Sequence, residues 1–318
     1  MPSSEIGGYF GLELPSGTEY HPDAIHLNSG RSGLHYILKA KHFRKIWLPH
    51  YICDSVLTPI KTEHVSFEYY SINENFEPAF DGEIKDDECL LYVNYFGLND
   101  ENVRKAAGKY RNVIIDNTQA FYARPLSGVD TLYSPRKFFG VADGGYLYTD
   151  KLLDEELMQD VSYERMGHLL KRLDISANAG YSLFRENSED IDRCGLRKMS
   201  NLTQAILSGI DYAAAAKRRR ENYLYLHERL GDMNLLNLPE LHEQVPMIYP
   251  FLTDDEELRQ KLIDEKIYVA TYWPDVMNHA AAGSVEERFV KRLLALPIDQ
   301  RYGEGEMVNI IKSVNNGV

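Results

Sequence analysis

The stretch CLLYVNYFGLNDENVRKAAGKYRNVIIDNTQ, residues 89–119, decides the fold. It begins with an apolar run at 89–94, continues with an amphipathic stretch at 99–110, and reaches a second apolar run at 112–115. Two short apolar runs joined by a helical stretch are typical of a β-α-β unit, whose two strands are parallel. The stretch therefore predicts a mostly parallel sheet with helices packed against it.

The same alternation extends on both sides of this unit, from residue 25 to about residue 150. Short runs of β-forming residues follow amphipathic stretches, as expected for a sheet wrapped by helices. The further predicted elements are helix 31–42, strand 45–48, helix 51–61, strand 65–70 and strand 145–149.

The second half of the chain has a different pattern. Long helices are expected at 151–172 and around 198–231, because neither stretch contains a proline. The remaining predicted elements are strands 246–251 and 267–271 and helices 254–265, 285–295 and 304–316. We therefore predict an α/β fold: a three-layer αβα large domain with a mostly parallel mixed sheet, and a smaller α+β C-terminal domain.

Composition excludes several classes of function. The 35 basic and 48 acidic residues give a net charge of −13, so the surface as a whole repels nucleic acid and anionic membranes. The basic run at 217–220 is better explained as a solvated helix face. The three cysteines form no CxxC pair, which argues against a disulfide framework and a zinc site. With no signal-like or membrane-spanning segment, we expect a soluble cytoplasmic protein that binds no metal.

The first candidate binding feature is the turn Asn28-Ser-Gly-Arg-Ser-Gly33, which leads directly into a predicted helix. The backbone amides at the start of a helix, together with its positive dipole end, can bind a phosphate group. Ser29, Arg31 and Ser32 would add side-chain donors. A small-residue turn with no ligand explains the same sequence.

The second feature is an acidic residue at the end of an apolar strand, Asp116 in Val113-Ile-Ile-Asp-Asn-Thr-Gln119. A carboxylate at the tip of a buried strand is costly unless a cation or a proton donor meets it. A protonated pyridinium nitrogen would be such a partner. A helix N-cap and a metal ligand are the alternatives.

The third feature is Ser134-Pro-Arg-Lys-Phe-Phe-Gly-Val-Ala-Asp-Gly-Gly145, in which Lys137 follows a strand and precedes an acid-Gly-Gly turn. The adjacent phenylalanines, Phe138 and Phe139, indicate a partly desolvated setting. Desolvation lowers the pKa of a lysine and favours the neutral amine that Schiff-base chemistry needs. An exposed structural lysine is the alternative.

In chain order these features resemble the DegT/DnrJ/EryC1/StrS family of sugar aminotransferases, pyridoxal-phosphate enzymes of the aspartate-aminotransferase fold. The resemblance covers most of the chain. The similar segments are Ser29-Gly30-Arg31, the turn led by Pro49, Tyr95 and Gly97, Asp116-Asn-Thr-Gln119, Lys137 with Asp143-Gly144-Gly145, Met199-Ser200, Tyr249-Pro250, Trp273-Pro274 and Leu296-Pro297.

The resemblance implies specific roles for the matching residues. Lys137 would hold pyridoxal 5'-phosphate as an internal aldimine and later move the proton between cofactor and substrate. Asp116 would pair with the ring nitrogen, and Gln119 would lie near the ring hydroxyl or the ring face. Gly30, Arg31 and Ser134 would bind the phosphate. In the related reaction, glutamate gives its amino group to a nucleotide-linked keto-sugar, and a homodimer shares its active sites.

This sequence departs from the family pattern at several positions. The family usually places an aromatic residue, which stacks on the cofactor ring, four positions after the proline of the Pro49 turn; here that position is Cys53, and Tyr51 lies two residues earlier. Either Tyr51 stacks on the ring or that face is bare. Arg136 directly precedes Lys137 and would lower the lysine pKa further or bind the phosphate.

Two further expectations concern domains and alternative functions. The large cofactor-binding domain is placed at 20–212 and the small domain at 213–318, while residues 1–19 would pack with the small domain or across the dimer. A second hypothesis keeps the cofactor but assigns another small carbonyl substrate or a lyase reaction. A third is a cofactor-binding protein without turnover.

Overall fold

A mixed eight-stranded sheet forms the centre of the structure, a computed structural model that describes residues 6–315. A second sheet has two antiparallel strands. The strands of the large sheet are β1 (Ile25–Leu27), β2 (Lys45–Pro49), β3 (Ser66–Ile72), β4 (Pro78–Ala79), β5 (Glu88–Val93), β6 (Val113–Asn117), β7 (Asp130–Tyr133) and β8 (Gly145–Tyr148). Those of the small sheet are β9 (Tyr249–Leu252) and β10 (Leu293–Leu296).

The strand order in the large sheet is β1-β8-β7-β6-β5-β2-β3-β4. Neighbouring strands from β7 through β3 pair in parallel, whereas β8 is antiparallel to both β7 and β1. Every residue of β5 and β6 is buried, as expected for parallel strands that are covered on both faces. Since β1 runs in the same direction as β7, strands β1, β7, β6, β5 and β2 all end at one edge of the sheet.

Helices flank the sheet and continue through the C-terminal part of the chain. They are α1 (Gly30–Lys41), α2 (Leu57–Thr62), α3 (Asp100–Lys109), α4 (Gly167–Asp174), α5 (Ala177–Cys194), α6 (Asn201–Ser208), α7 (Tyr212–Leu230), α8 (Leu258–Asp264), α9 (Val285–Arg292) and α10 (Glu304–Asn315). This architecture confirms the predicted α/β fold with a mixed, mostly parallel sheet and a smaller second sheet.

The prediction of one helix over 151–172 is wrong. Most of this stretch is irregular, and a helix begins only at Gly167. The reason is tertiary pairing: Lys198 donates its N–H to Met158 O, and its oxygen accepts from the N–H of Asp160. These contacts hold residues 158–160 in an extended conformation and override the helical preference.

Three other predicted elements differ from the structure. The helix expected around 198–231 is interrupted at 209–211, where Asp211 caps α7 by accepting from Ala214 N. The expected strand 267–271 is reduced to one bridge between Ala270 and Ala295. Residues 293–295, expected to end a helix, belong to β10 instead, because pairing with β9 in a buried setting outweighs the helix propensity of leucine and alanine.

The division into a large and a small domain stays a prediction. Helix α7 begins at Tyr212, the residue that ends the proposed large domain. Residues 1–5 lie outside the described residues, and Gly17 lies against the backbone oxygen of Ser208 at the end of α6. No helix among residues 6–315 combines the length and apolar character that crossing a membrane requires.

Candidate active site

The candidate site lies where five strands end at the same edge of the sheet. Ligands bind at this edge in open α/β sheets, because the loops that follow the strands converge there. The segments that follow β1, β2, β5, β6 and β7 are, respectively, 28–30, 50–53, 94–97, 118–119 and 134–137. Most of the residues predicted from the sequence lie in these segments.

The turn before α1 is built as a helix N-terminus. Ser29 Oγ accepts from the N–H of Ser32 at 3.0 Å, and Ser32 Oγ donates to Asn28 Oδ1 at 2.6 Å. Both hydroxyls therefore shape the turn itself. The N–H groups of Gly30 and Arg31, in the first turn of α1, have no acceptor within the helix and can bind an anion.

Gly30 allows three parts of the site to meet closely. A Cβ atom at this position would lie 2.7 Å from Cγ2 of Thr118 and 3.5 Å from Cβ of Ser134. Contacts below 3.0 Å are not tolerated, so any larger residue here would push the three segments apart. The turn after β1 is thus fixed against the loops after β6 and β7.

Two arginines lie beside this turn. Arg31 forms an ion pair with Asp192 of α5. Arg136 donates from Nη2 to Ser188 Oγ at 3.4 Å, and no carboxylate of the described residues lies within 4.0 Å of it. Burial, together with the positive charge of Arg31, lowers the pKa of Arg136 to about 10. Two neighbouring guanidinium groups, one of them without a carboxylate partner, favour an anion between them.

Asp116 and Thr118 are joined at the end of β6. Asp116 is 7% exposed, and its Oδ1 accepts from the N–H of Thr118 at 2.8 Å. The side chain thus closes a tight turn after the strand. Because one contact is short and local, the rest of the carboxylate remains able to meet a proton donor or a cation.

Lys137 lies in the 3-10 turn that follows β7, and its Nζ donates to Thr118 Oγ1 at 2.9 Å. Lys137 is exposed as a residue, although protein atoms closely surround its amine. Desolvation lowers the pKa of Lys137, and the charge of Arg136 acts in the same direction. The negative charges of Asp116 and Cys53 partly oppose this shift. The amine is thus more readily deprotonated than an ordinary lysine.

Gln119 contributes a free donor at the same edge. The side chain has no accessible surface, and Oε1 accepts from the N–H of Phe96 at 3.0 Å. Its Nε2 is buried and has no hydrogen-bond partner among the described residues. A buried amide without an acceptor is costly, so a ligand oxygen in this position would stabilise it.

The two residues expected near a ring face lie in different surroundings. Tyr51 has no accessible surface, and its ring packs against Trp273, with centroids 4.8 Å apart, and against Tyr95 and Phe289. Cys53 is half-buried, and a negative charge on its sulfur would raise the pKa of Lys137.

Asp143 anchors the loop between Lys137 and β8. It has no accessible surface, and it accepts from the N–H and the hydroxyl of Ser200, at 2.8 and 2.7 Å, and from the hydroxyl of Thr203. Gly144 has a φ of 127°, which side chains disfavour. The acid-Gly-Gly turn is thereby tied to the first turn of α6.

Sequence reasoning did not single out Thr118 or the residues of α5. Thr118 lies between Asp116 and Gln119 in the quoted motif. Its position in the sequence relative to Lys137 does not predict a contact between the two side chains. The contacts of α5 come from Asp192, Ser188 and Asn187, whose Nδ2 donates to Ala142 O at 2.8 Å. Ser176, which accepts from the N–H of Ala179, was the available signal for the start of this helix.

Taken together, this edge of the sheet holds the amine of Lys137 with its lowered pKa, the buried carboxylate of Asp116 and the free amide donor of Gln119. It also holds an anion-binding corner, formed by the first turn of α1 and Arg136. This arrangement suits a small ligand that carries both a carbonyl group and an anionic group. Among residues 6–315, no group of three or more histidine, cysteine, aspartate or glutamate side chains is arranged to hold a metal ion.

The fold is that of solved sugar aminotransferases. The structure is similar to the sugar aminotransferase CalS13 from Micromonospora echinospora, with a TM-score of 0.64 and 18% identity over 93% of this chain and 88% of that chain. It is also similar to a DegT DnrJ EryC1 StrS aminotransferase from Brucella abortus, with a TM-score of 0.62 and 15% identity over 92% and 85% of the two chains.

A third similar structure is that of S. venezuelae DesV in complex with a ketimine intermediate, with a TM-score of 0.61 and 18% identity over 95% of this chain and 85% of that chain. These likenesses confirm the fold that the sequence resemblance implied. No protein-family model matches the sequence, and none of the curated proteins compared with it matches.

Proposed function

We propose that this protein is a pyridoxal-phosphate-dependent aminotransferase that transfers an amino group from glutamate to a keto-sugar, specifically a nucleotide-linked one. The observation that carries the proposal is the position of Lys137: its amine lies at the edge of the sheet, hydrogen-bonded to the threonine whose backbone N–H binds Asp116. The amine, the acid and the anion-binding corner would then match the aldehyde, the ring nitrogen and the phosphate of the cofactor, respectively.

The residues present fit this cofactor. The phosphate would be held by the first turn of α1, with Gly30 and Arg31, and by Arg136, while Ser29 and Ser32 shape the turn and Ser134 lies beside it. The free Nε2 of Gln119 offers a hydrogen bond to a ring oxygen. The unpaired guanidinium of Arg136 and the buried amide of Gln119 are both costly in the protein alone. A bound anionic ring would stabilise both.

Each residue then has a chemical task. When bound, pyridoxal phosphate supplies an aldehyde that condenses with amines and a ring that accepts carbanion charge. Lys137 would attach the cofactor covalently, and its lowered pKa favours the neutral amine needed for this and for taking up a proton from the substrate. Asp116 would keep the ring nitrogen protonated by its negative charge.

The amino donor and acceptor are inferred from the same site and from the names of the neighbours. CalS13 is described as a sugar aminotransferase, and DesV was solved with a ketimine, an adduct in which an amine has condensed with a carbonyl group. A keto-sugar provides such a carbonyl. Glutamate is proposed as donor because it is the donor in the reaction of the family that the sequence resembles.

We also propose that the protein is a homodimer. Helices α4 and α5 form a hairpin that exposes several apolar side chains: Leu173 is 85% exposed and Ile175 69%. Exposed apolar surface of this kind marks an interface. The same hairpin contacts the candidate site through Asp192, so a dimer formed here would have its sites beside the interface. Sedimentation should show a dimer, and Leu173→Glu should shift it to a monomer.

The central test is covalent attachment of the cofactor. Purified protein mixed with pyridoxal phosphate should turn yellow, and borohydride reduction followed by peptide mass mapping should place the adduct on Lys137. Lys137→Ala should keep the fold but lose the adduct, while Lys198→Ala, which removes a partly exposed surface amine, should keep it. An adduct on another lysine would contradict the assignment.

Turnover is tested separately. Glutamate should bleach the yellow band, and a keto-sugar acceptor from a panel with and without a nucleotide should restore it. A band that glutamate bleaches but that only a non-sugar carbonyl restores would support another small carbonyl substrate. A protein that binds the cofactor and responds to no amine would be a binding protein without turnover.

A further inference from the structure

The hydroxyl of Thr118 lies where three parts of the candidate site meet. Its Oγ1 accepts from Lys137 Nζ at 2.9 Å. Its backbone N–H binds Asp116 Oδ1 at 2.8 Å, and its Cγ2 faces Gly30 so closely that a Cβ there would lie 2.7 Å away. Thr118 therefore contacts the lysine and the turn at Gly30 through its side chain, and the acid through its backbone N–H.

The contact with Lys137 is specific to the hydroxyl. Among residues 6–315 the amine has no other hydrogen bond, and no carboxylate oxygen lies within 4.0 Å of it. The backbone of Thr118 cannot shift freely, because Asp116 holds its N–H and the strand β6 ends at the preceding residue. The position of Oγ1 is thus imposed by the fold.

We propose that Thr118 is a positioning residue that fixes the amine of Lys137 relative to Asp116 and the Gly30 turn whenever that amine is not bonded to the cofactor. The inference rests on the proposed function, since an aminotransferase must release its lysine and re-attach it in every cycle. A hydroxyl suits this task because it can accept from an ammonium group and donate to a neutral amine. Without this contact, the free lysine side chain, which has four rotatable bonds, would adopt many conformations between the half-reactions.

The alternative is that Thr118 acts only by filling space against Gly30. Two substitutions separate the explanations. Thr118→Val keeps the shape and removes the hydroxyl, whereas Thr118→Ser keeps the hydroxyl and removes the methyl group that faces Gly30. Thr131→Val is the matched control: Thr131 is a buried threonine in β7 whose hydroxyl donates to Val129 O at 3.0 Å, away from the lysine.

The test measures the amine itself in protein from which the cofactor has been removed. Competitive labelling with acetic anhydride across a pH series, read by mass spectrometry of the Lys137 peptide, gives the pKa of this one amine. Thr118→Val should lower it by about one unit, because an acceptor that stabilises the charged form is lost. Thr118→Ser and Thr131→Val should match the unsubstituted protein.

Two results would overturn the proposal. If Thr118→Val leaves the labelling curve unchanged, the hydroxyl does not hold the amine. If Thr118→Ser shifts the curve as far as Thr118→Val, the side chain acts through its shape. Because the measurement needs no cofactor, its outcome is independent of the covalent-attachment test: a protein that never binds pyridoxal phosphate fails the proposed function whatever the labelling shows.

Discussion

Gln300 donates from Nε2 to the backbone oxygen of Phe138 at 2.7 Å, and so joins the C-terminal part of the chain to the residue that follows the candidate catalytic lysine. The same oxygen accepts from the buried Arg219 at 3.4 Å, and Arg219 Nε donates to Gln300 Oε1 at 2.8 Å. The guanidinium lies 4.6 Å from the ring centroid of Phe138. The side chains of Arg219 and Gln300, both from the C-terminal part of the chain, therefore hold the loop that carries Lys137.

Gln300→Leu should lower the free energy of unfolding by about 2 kcal/mol, because the substitution removes two hydrogen bonds and leaves a buried guanidinium N–H without an acceptor. Urea denaturation of the cofactor-free protein measures the change. Gln260→Leu is the control, since the amide of Gln260 donates to Asp264 on the exposed surface. Equal stability of the two variants would show that the Phe138 contact does not hold the loop.

Arg136→Gln should weaken the affinity for pyridoxal phosphate by tenfold or more, which corresponds to about 1.4 kcal/mol. The affinity for pyridoxal, which has no phosphate, should change little. The cofactor-free protein should be as stable as before or more stable, because a buried cation beside Arg31 is removed. Absorbance titrations with the two aldehydes provide the comparison.

The control for Arg136 is Arg193→Gln, which removes an exposed cation that pairs with Asp190. This variant should bind both aldehydes normally. Equal losses of affinity for pyridoxal and pyridoxal phosphate in Arg136→Gln would place the arginine away from the phosphate.

Asp143→Ala should destabilise the protein by roughly 3 kcal/mol, because a buried backbone N–H and two hydroxyls, of Ser200 and Thr203, lose their acceptor. Thermal unfolding followed by circular dichroism measures the loss. Asp190→Ala, which removes a partly exposed carboxylate whose only ion-pair partner among the described residues is the exposed Arg193, should unfold like the unsubstituted protein. A small effect at Asp143 would mean that water replaces the carboxylate.

The order of strands explains why much of the fold and part of the candidate site could be predicted. The alternation of apolar runs and helical stretches requires parallel strands, whose ends share one edge of the sheet. Asp116 lies near the end of one apolar strand and Lys137 follows another, so the sequence alone placed them at that edge, and the structure brings them together through Thr118. The hydroxyl contact itself depends on side-chain positions that no spacing rule encodes.

The parts that could not be predicted depend on contacts between distant segments. Residues 158–160 have a helical composition, but Lys198 holds them extended. Leu293–Leu296 also favours a helix in isolation and becomes a strand only because β9 lies beside it. Helix α5 was missed because its apolar residues mark no single buried face: Ile191 is buried, whereas Tyr181 and Phe184 are exposed.

His21 should make the stability of the protein depend on pH. The imidazole is 2% exposed, its Nε2 lies 2.8 Å from Phe121 O, and its Nδ1 lies 3.1 Å from the hydroxyl of Tyr148. A neutral ring that donates from Nε2 and accepts at Nδ1 satisfies both contacts. Burial lowers the pKa of His21 to about 4, although the bond to Phe121 acts in the opposite direction.

In the unfolded chain the pKa of this histidine returns to about 6.5, so the unfolded state binds the proton first as the pH falls. The contribution of His21 to stability is complete above pH 6.5 and is lost as the pH falls towards 4. Because of this difference in the pKa of His21, the free energy of unfolding should decrease by about 3 kcal/mol between pH 7 and pH 4. His21→Gln cannot titrate, so urea denaturation at a series of pH values should show a correspondingly shallower decrease. If the variant loses stability as steeply as the unsubstituted protein, other groups cause the dependence and His21 does not contribute to it.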